Sequence, residues 1–192
     1  MSVRRAHPSD AAAIADLYCE GLGEGYASSE GIDTELRGVS DVAFFVATSP
    51  SGEVVGAADA LRIPRASLLD CGVLGFRWVQ EEILGLGAGC PRFGLLQNVV
   101  VGRDWRGRGL GAALLDARLG WLRQVDAGLA YSFAWHTPEG CPASGLLTRA
   151  GFRRVREVPD FYLADGLANG YVCPFCGVAC RCAAVLYARS LP

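Results

Sequence analysis

The apolar residues of this chain fall in short clusters whose spacing switches between two periods. Leu95-Leu96-Gln97-Asn98-Val99-Val100-Val101 is a short, β-branched run of the kind a buried strand presents. A polar turn, Gly102-Arg103-Asp104, follows. Beyond it Leu110, Ala113, Leu114, Ala117 and Trp121 recur three or four apart, which predicts a helix with those side chains on its core face. Upstream, residues 3–6 predict a strand. Ile14, Leu17 and Tyr18 predict a helix that starts at His7-Pro8-Ser9-Asp10 and is capped by Ser9 or Asp10. His7 reads as a surface histidine at the strand end. Residues 21–41, Gly-rich and then charged, predict a second short helix and a loop. Residues 42–47 and 54–61 read as antiparallel strands joined by the turn Pro50-Ser51-Gly52-Glu53.

Residues 64–93 are the least patterned stretch. Within them, 76–84 is either a helix or a bulky loop, and the whole insertion either walls a cleft or forms a surface excursion. Further on, residues 130–136 predict a strand, 143–150 a short helix, 153–158 another strand, and 184–189 a strand alternating as an edge strand does. The expected class is α+β.

Composition narrows the partners. The chain has 192 residues, 51% of them apolar, enough for a core within one domain spanning 1–192. Its net charge of -2 gives no electrostatic case for nucleic acid. No apolar run approaches the roughly 18 to 20 residues of a membrane span. Met1-Ser2-Val3-Arg4-Arg5 lacks the apolar stretch of a secretory signal. The expectation is therefore a soluble cytoplasmic protein, monomeric or homodimeric, without membrane or nucleic-acid partners.

The segment Trp105-Arg106-Gly107-Arg108-Gly109-Leu110-Gly111 lies between the central strand and its helix. At a helix start successive N–H groups lack intrahelical acceptors and meet the positive end of the dipole. Glycines let an anion approach them, so this is a candidate phosphate cradle. It is neither of two common phosphate motifs. The chain contains no lysine, which a P-loop needs, and the spacing is G-x-G-x-G rather than G-x-G-x-x-G.

What Arg106 to Gly111 does match is R-x-x-G-x-G, with Ala112 following and LQNVVVGRDW preceding. That pattern resembles the acetyl-coenzyme A motif of the GCN5-related N-acetyltransferase (GNAT) family. The opening V-R-R-A-x-P-x-D-A-x-x-I-x-x-L and the string Leu146-Leu147-Thr148-Arg149-Ala150-Gly151-Phe152 resemble the same family. The resemblance covers the chain apart from 64–93 and 160–182. It implies a twisted, mostly antiparallel mixed sheet of six to seven strands with about four helices, in which the last strand pairs with the one after Gly151-Phe152.

The resemblance also implies acetyl transfer from acetyl-CoA to a small-molecule or peptide amine by direct attack. Backbone groups of Val99, Val100 and Val101 would pair with the pantetheine arm. The N–H groups of Arg106, Gly107, Arg108, Gly109, Leu110, Gly111 and Ala112 would hold the pyrophosphate. Two family positions differ here. Gln97 stands where a glutamate base is common, and glutamine cannot take a proton. Leu147 stands where a tyrosine acid is common. His136, at the end of a predicted strand near the expected cleft, is the first candidate replacement, because histidine as a residue type can carry a proton, followed by Tyr162 and Asp160. Gln97 and Leu147 also leave open a non-catalytic acyl-CoA-binding domain or a zinc-knuckle interaction domain on the same fold.

Four of the eight cysteines crowd into ten residues: Cys173-Pro174-Phe175-Cys176 and Cys180-Arg181-Cys182. The first pair is a knuckle spacing that aims two thiolates at one centre. The C-x-C pair is tighter than zinc sites usually show. Four thiolates close a structural zinc site without an open position; free thiols and an iron–sulfur cluster are the alternatives. The cluster is expected as an insertion at about 170–183 between the last two strands. In the family that connection lies beside the acceptor, so a metal knuckle there would shape the substrate wall. Cys19, Cys71, Cys90 and Cys141 are scattered and read as core or loop residues.

Overall fold

The computed structural model describes residues 1–38, 41–69 and 77–191, the side chains of Leu69 and Arg77 excepted. Cys71 and Phe76 lie outside the described residues. Seven strands form one sheet: β1 (Ser2–Arg5), β2 (Val42–Thr48), β3 (Val54–Pro64), β4 (Arg92–Val101), β5 (Leu129–His136), β6 (Arg153–Val158) and β7 (Ala183–Ser190). Their order is β1-β2-β3-β4-β5-β7-β6. Every pairing is antiparallel except β4 with β5. β7 does pair with β6, but it is an interior strand. Residues Ala184–Tyr187 and Ala188 are all buried because β5 covers one edge and β6 the other.

Helices α1 (Ala11–Leu22), α2 (Ser29–Gly38), α3 (Arg65–Leu69), α4 (Arg77–Leu86), α5 (Leu110–Gln124), α6 (Ser144–Arg149) and α7 (Leu163–Asn169) complete the described residues. That is more than the four expected. The additions are short: α3 fills part of the obscure insertion and α7 part of the connection before β7. The entry to α1 is a 3-10 turn, Pro8–Asp10, capped by His7, whose Nδ1 accepts from the Ser9 N–H at 3.3 Å. Asp10 makes no side-chain cap on α1. Its carboxylate instead accepts from the His7 N–H at 2.7 Å and pairs with Arg4.

One irregularity decides the layering. Ala58 pairs with Val99 and Ala60 with Leu96, so two steps along β3 are answered by three along β4. The extra residue is a β-bulge at Gln97-Asn98, opposite Asp59. It reverses the alternation of β4. Leu95 and Val100 pack toward α1 and α4, whereas Leu96, Val99 and Val101 pack toward α5. Helices α1 and α4 therefore cover one face and α5 and α6 the other.

The α5 core face differs from expectation. Leu110, Leu114, Leu115, Arg118, Leu119 and Leu122 are buried, while Ala113 is exposed. The stripe is turned because Arg118 belongs in it. Its guanidinium donates through Nη1 to the carbonyls of Asn98 (3.1 Å) and Asp59 (3.4 Å), which satisfies a charge that would otherwise be costly inside.

Candidate active site

β4 and β5 pair only from Phe93↔Leu129 to Leu95↔Tyr131. Both strands then run on, to Val101 and His136, without pairing to each other. The strands part at the bulge, and the edge of β4 that faces β5 keeps free backbone groups. A cleft of about 1370 Å³ occupies the gap, lined by Gln97 to Val101 on one side and Ser132 to Trp135 on the other.

On the α5 face, Arg103 and Arg106 line this cleft. Arg106 donates through Nε to the Val101 carbonyl at 3.0 Å, and Arg108 lies over the Trp105 ring. Gly107 and Gly109 have φ of +73° and +82°, and a Cβ at either would meet nothing within 4 Å. The space before the helix is open, and side chains are disfavoured there by conformation rather than by clash. Ala113 N–H is the first to donate within α5, to Gly109 O at 3.0 Å. The N–H groups of Leu110, Gly111 and Ala112 thus have no intrahelical acceptor. Sequence reasoning placed an anion cradle here, and these residues have the geometry for one.

On the opposite face, strand alternation aims Phe133 and Trp135 away from Ala134, the side chain that packs under the α5 layer. Tyr162, at the start of α7, donates to the Phe133 carbonyl at 3.2 Å, and burial holds its hydroxyl well above the usual range. Tyr26, from the α1–α2 connection, meets Tyr171 edge-on at 5.3 Å. Gly23 makes that meeting possible. Its φ is +144°, and a Cβ there would stand 2.5 Å from the Val172 carbonyl. Val172 N–H donates to Glu24 O at 2.8 Å, which straps the two connections together across the cleft.

Beneath Tyr26 lies a polar network that the sequence reading missed. Tyr26 donates to Asn98 Oδ1 at 2.8 Å, and Tyr18 donates to Asp59 Oδ1 at 2.6 Å. Asn98 also hydrogen-bonds the Asp59 carboxylate. Burial pushes Asp59 up to about 6 and pulls Arg118 down to about 10. Two signals were readable: an aspartate inside V-V-G-A-A-D-A-L, and an arginine at the four-residue spacing of Leu110, Leu114 and Leu122.

The other expected residues divide. Gln97 is exposed at the bulge and lines the cleft, as does Tyr162. His136 does not line it. It ends β5 with Nδ1 3.1 Å from Glu157 Oε1, on the β6 side. Asp160 sits in a left-handed conformation, φ +51°, 3.9 Å from Arg181. Leu147 is buried in the α5–α6 core. None of the described residues 65–69 and 77–91 lines the cleft. The inserted helices pack instead on Phe93 and Tyr131, because Val79 and Ile83 give α4 a core face.

The Cys173, Cys176, Cys180 and Cys182 sulfurs all lie within 4.8 Å of one another, so the tight C-x-C pair is no obstacle. A tetrahedron with Zn–S of about 2.3 Å has S···S edges of roughly 3.8 Å. The Cys176–Cys182 and Cys173–Cys182 separations of 3.5 and 4.0 Å bracket that value. Burial pushes Cys180 up to about 11 and Cys182 higher, while the Arg181 N–H pulls Cys176 down. The donor set suits a soft or borderline divalent ion.

Residues 11–152 match the acetyltransferase (GNAT) family. The chain belongs to that family. Its fold is shared by Arabidopsis thaliana NAA60 in complex with acetyl-CoA, at 18% identity over 99% of this chain and 98% of that one, with a TM-score of 0.71. It is shared also by the ribosomal-protein-alanine N-acetyltransferase from Brucella melitensis, at 17% identity over the whole of both chains, with a TM-score of 0.64. Ard1 from Thermoplasma volcanium aligns over 100% of this chain and 97% of that one at 17% identity, TM-score 0.65. No curated protein matches the sequence. Among the described residues no helix is long and apolar enough to cross a membrane.

Proposed function

We propose that the protein transfers the acetyl group of acetyl-CoA to a primary amine. The observation that carries this reading is the parting of β4 from β5 directly beside the glycine turn. An extended pantetheine arm can add to the free edge at Val99, Val100 and Val101 as a strand would. Its pyrophosphate then reaches the N–H groups from Gly107 to Ala112, while the Arg106 N–H donates to Arg103 O at 3.3 Å. The amine enters from the opposite face, past Tyr26 and Tyr171.

The chain's own residues supply the rest. Gln97, at the bulge, hydrogen-bonds the incoming amine or a water that takes its proton; the carboxamide does not itself become protonated. The neutral nitrogen attacks the thioester carbon, the C–S bond breaks, and the thiolate needs a proton. Tyr162 keeps its proton through the working range and can turn from Phe133 O to the departing sulfur, and the proton the thiolate takes through it is replaced, by way of water, by the one the amine nitrogen releases. We assign no step to His136, which is engaged with Glu157. The four cysteines would hold a zinc ion in a structural role: its charge would let all four sulfurs ionise, and it would close a connection that has little apolar core of its own.

Calorimetric titration of acetyl-CoA, together with mass detection of acetylated amines, tests this reading. Mass is the readout of choice because free cysteines consume thiol reagents. Saturable binding and amine acetylation are expected. Binding without acetylation of any amine would point to an acyl-CoA-binding domain, and no binding to folded protein would remove the proposal.

A further inference from the structure

The segment between β6 and β7 keeps an unusual number of large apolar side chains in water. Leu167, Val172, Phe175 and Val178 are all exposed, Phe175 at 41%. Such a patch needs a reason, since covering it would be favourable. Phe175 sits between the two ligands of the knuckle. Its ring meets Trp135 edge-on at 5.4 Å, and both rings line the cleft. Behind them, Trp135 packs against Cys173, Cys180 and Cys182. One side of this layer is therefore sulfur and the other is an aromatic wall open to the amine's face of the cleft. The backbone alone holds the knuckle by a pair of hydrogen bonds between Cys173 and Gly177, at 2.9 and 3.1 Å.

We propose that Phe175 determines acceptor specificity and that the tetracysteine metal centre is what presents it. An amine joined to an apolar group seats that group against Phe175 and Trp135 when the metal is bound. The proposal rests on the acetyl-transfer and zinc readings above. The wall lies on the face away from the glycine turn, so the metal governs the acceptor and leaves acetyl-CoA alone.

Two bisubstrate conjugates test it without needing turnover: coenzyme A joined through an acetyl linker to the nitrogen of leucinamide, or of glycinamide. On metal-loaded protein the leucinamide conjugate should bind about tenfold or more tightly than the glycinamide one, as burying a leucine side chain implies. In Phe175→Ala, with metal content unchanged, that ratio should fall toward one while acetyl-CoA affinity holds. Removing the metal should do the same, with circular dichroism confirming that the rest stays folded. A cobalt-substituted sample reports the ligand set through its sulfur-to-metal absorption. Failure of acetyl-CoA to bind would overturn the functional reading itself. Normal acetyl-CoA binding with no preference for leucinamide, or a preference that survives both Phe175→Ala and metal removal, would overturn this inference alone.

Discussion

The two faces of the cleft are built by opposite means. Around the glycine turn the contacts offered are backbone groups, fixed by a strand, a helix start and two left-handed glycines. Across the sheet the wall is made of side chains, and the connection that carries it gathers four cysteine sulfurs. The backbone face is anchored by long elements with buried cores, such as Leu110, Leu114 and Leu122 under α5. The other face hangs on a 24-residue connection between Val158 and Ala183, in which one seven-residue helix is the only regular element described. A wall without a core needs a cross-link, and a wall with one does not.

That contrast can be broken by experiment. The largest effect is expected from removing the metal, or from Cys176→Ser combined with Cys182→Ser. Hydrogen exchange in residues 160–182 should quicken by about a hundredfold or more while acetyl-CoA affinity changes less than about twofold. A global loss of protection would mean that the two faces are not independent. Next comes Tyr162→Phe, which should lower kcat by about a hundredfold, against less than about twofold for His136→Ala; steady-state kinetics with one amine decide between them.

On the backbone face, Gly109→Val should weaken acetyl-CoA about tenfold, because a β-branched residue resists φ of +82°, with metal content unaltered. The smallest effect concerns Asp59. Burial raises it from 3.8 to about 6, so the folded chain holds this proton more firmly than the unfolded one. The stability that this gives is full below about pH 4 and is lost as pH rises through about 6, leaving nothing near neutrality. In Asp59→Asn the urea midpoint should lose that part of its pH slope.

The sequence was most legible where a residue type is tied to a backbone need. Val99 to Val101, the glycines at 107 and 109, and the C-x-x-C spacing each announced their neighbourhood. It was least legible where partners come from distant segments. Arg118 falls at the core spacing of Leu110, Leu114 and Leu122, but its partners Asp59 and Asn98 come from two other elements. The β7 strand reads as an edge in sequence, although β6 covers it. α7 lies in the stretch 160–182 that the resemblance does not cover, and Gly170 ends the helix in a left-handed conformation. His136 looked available because nothing in the local sequence shows Glu157 arriving from β6.

The bulge at Gln97-Asn98 has a consequence for tolerance to change. Substitutions along β4 alter one layer or the other, but a single-residue deletion there would take away the bulge and leave every residue downstream on its present face. Val99 and Val101 would still pack toward α5 and Val100 toward α1, because they keep their partners on β3. What would be lost is the extra residue beside the place where β4 leaves β5, so the aperture through the sheet could be altered without disturbing either layer.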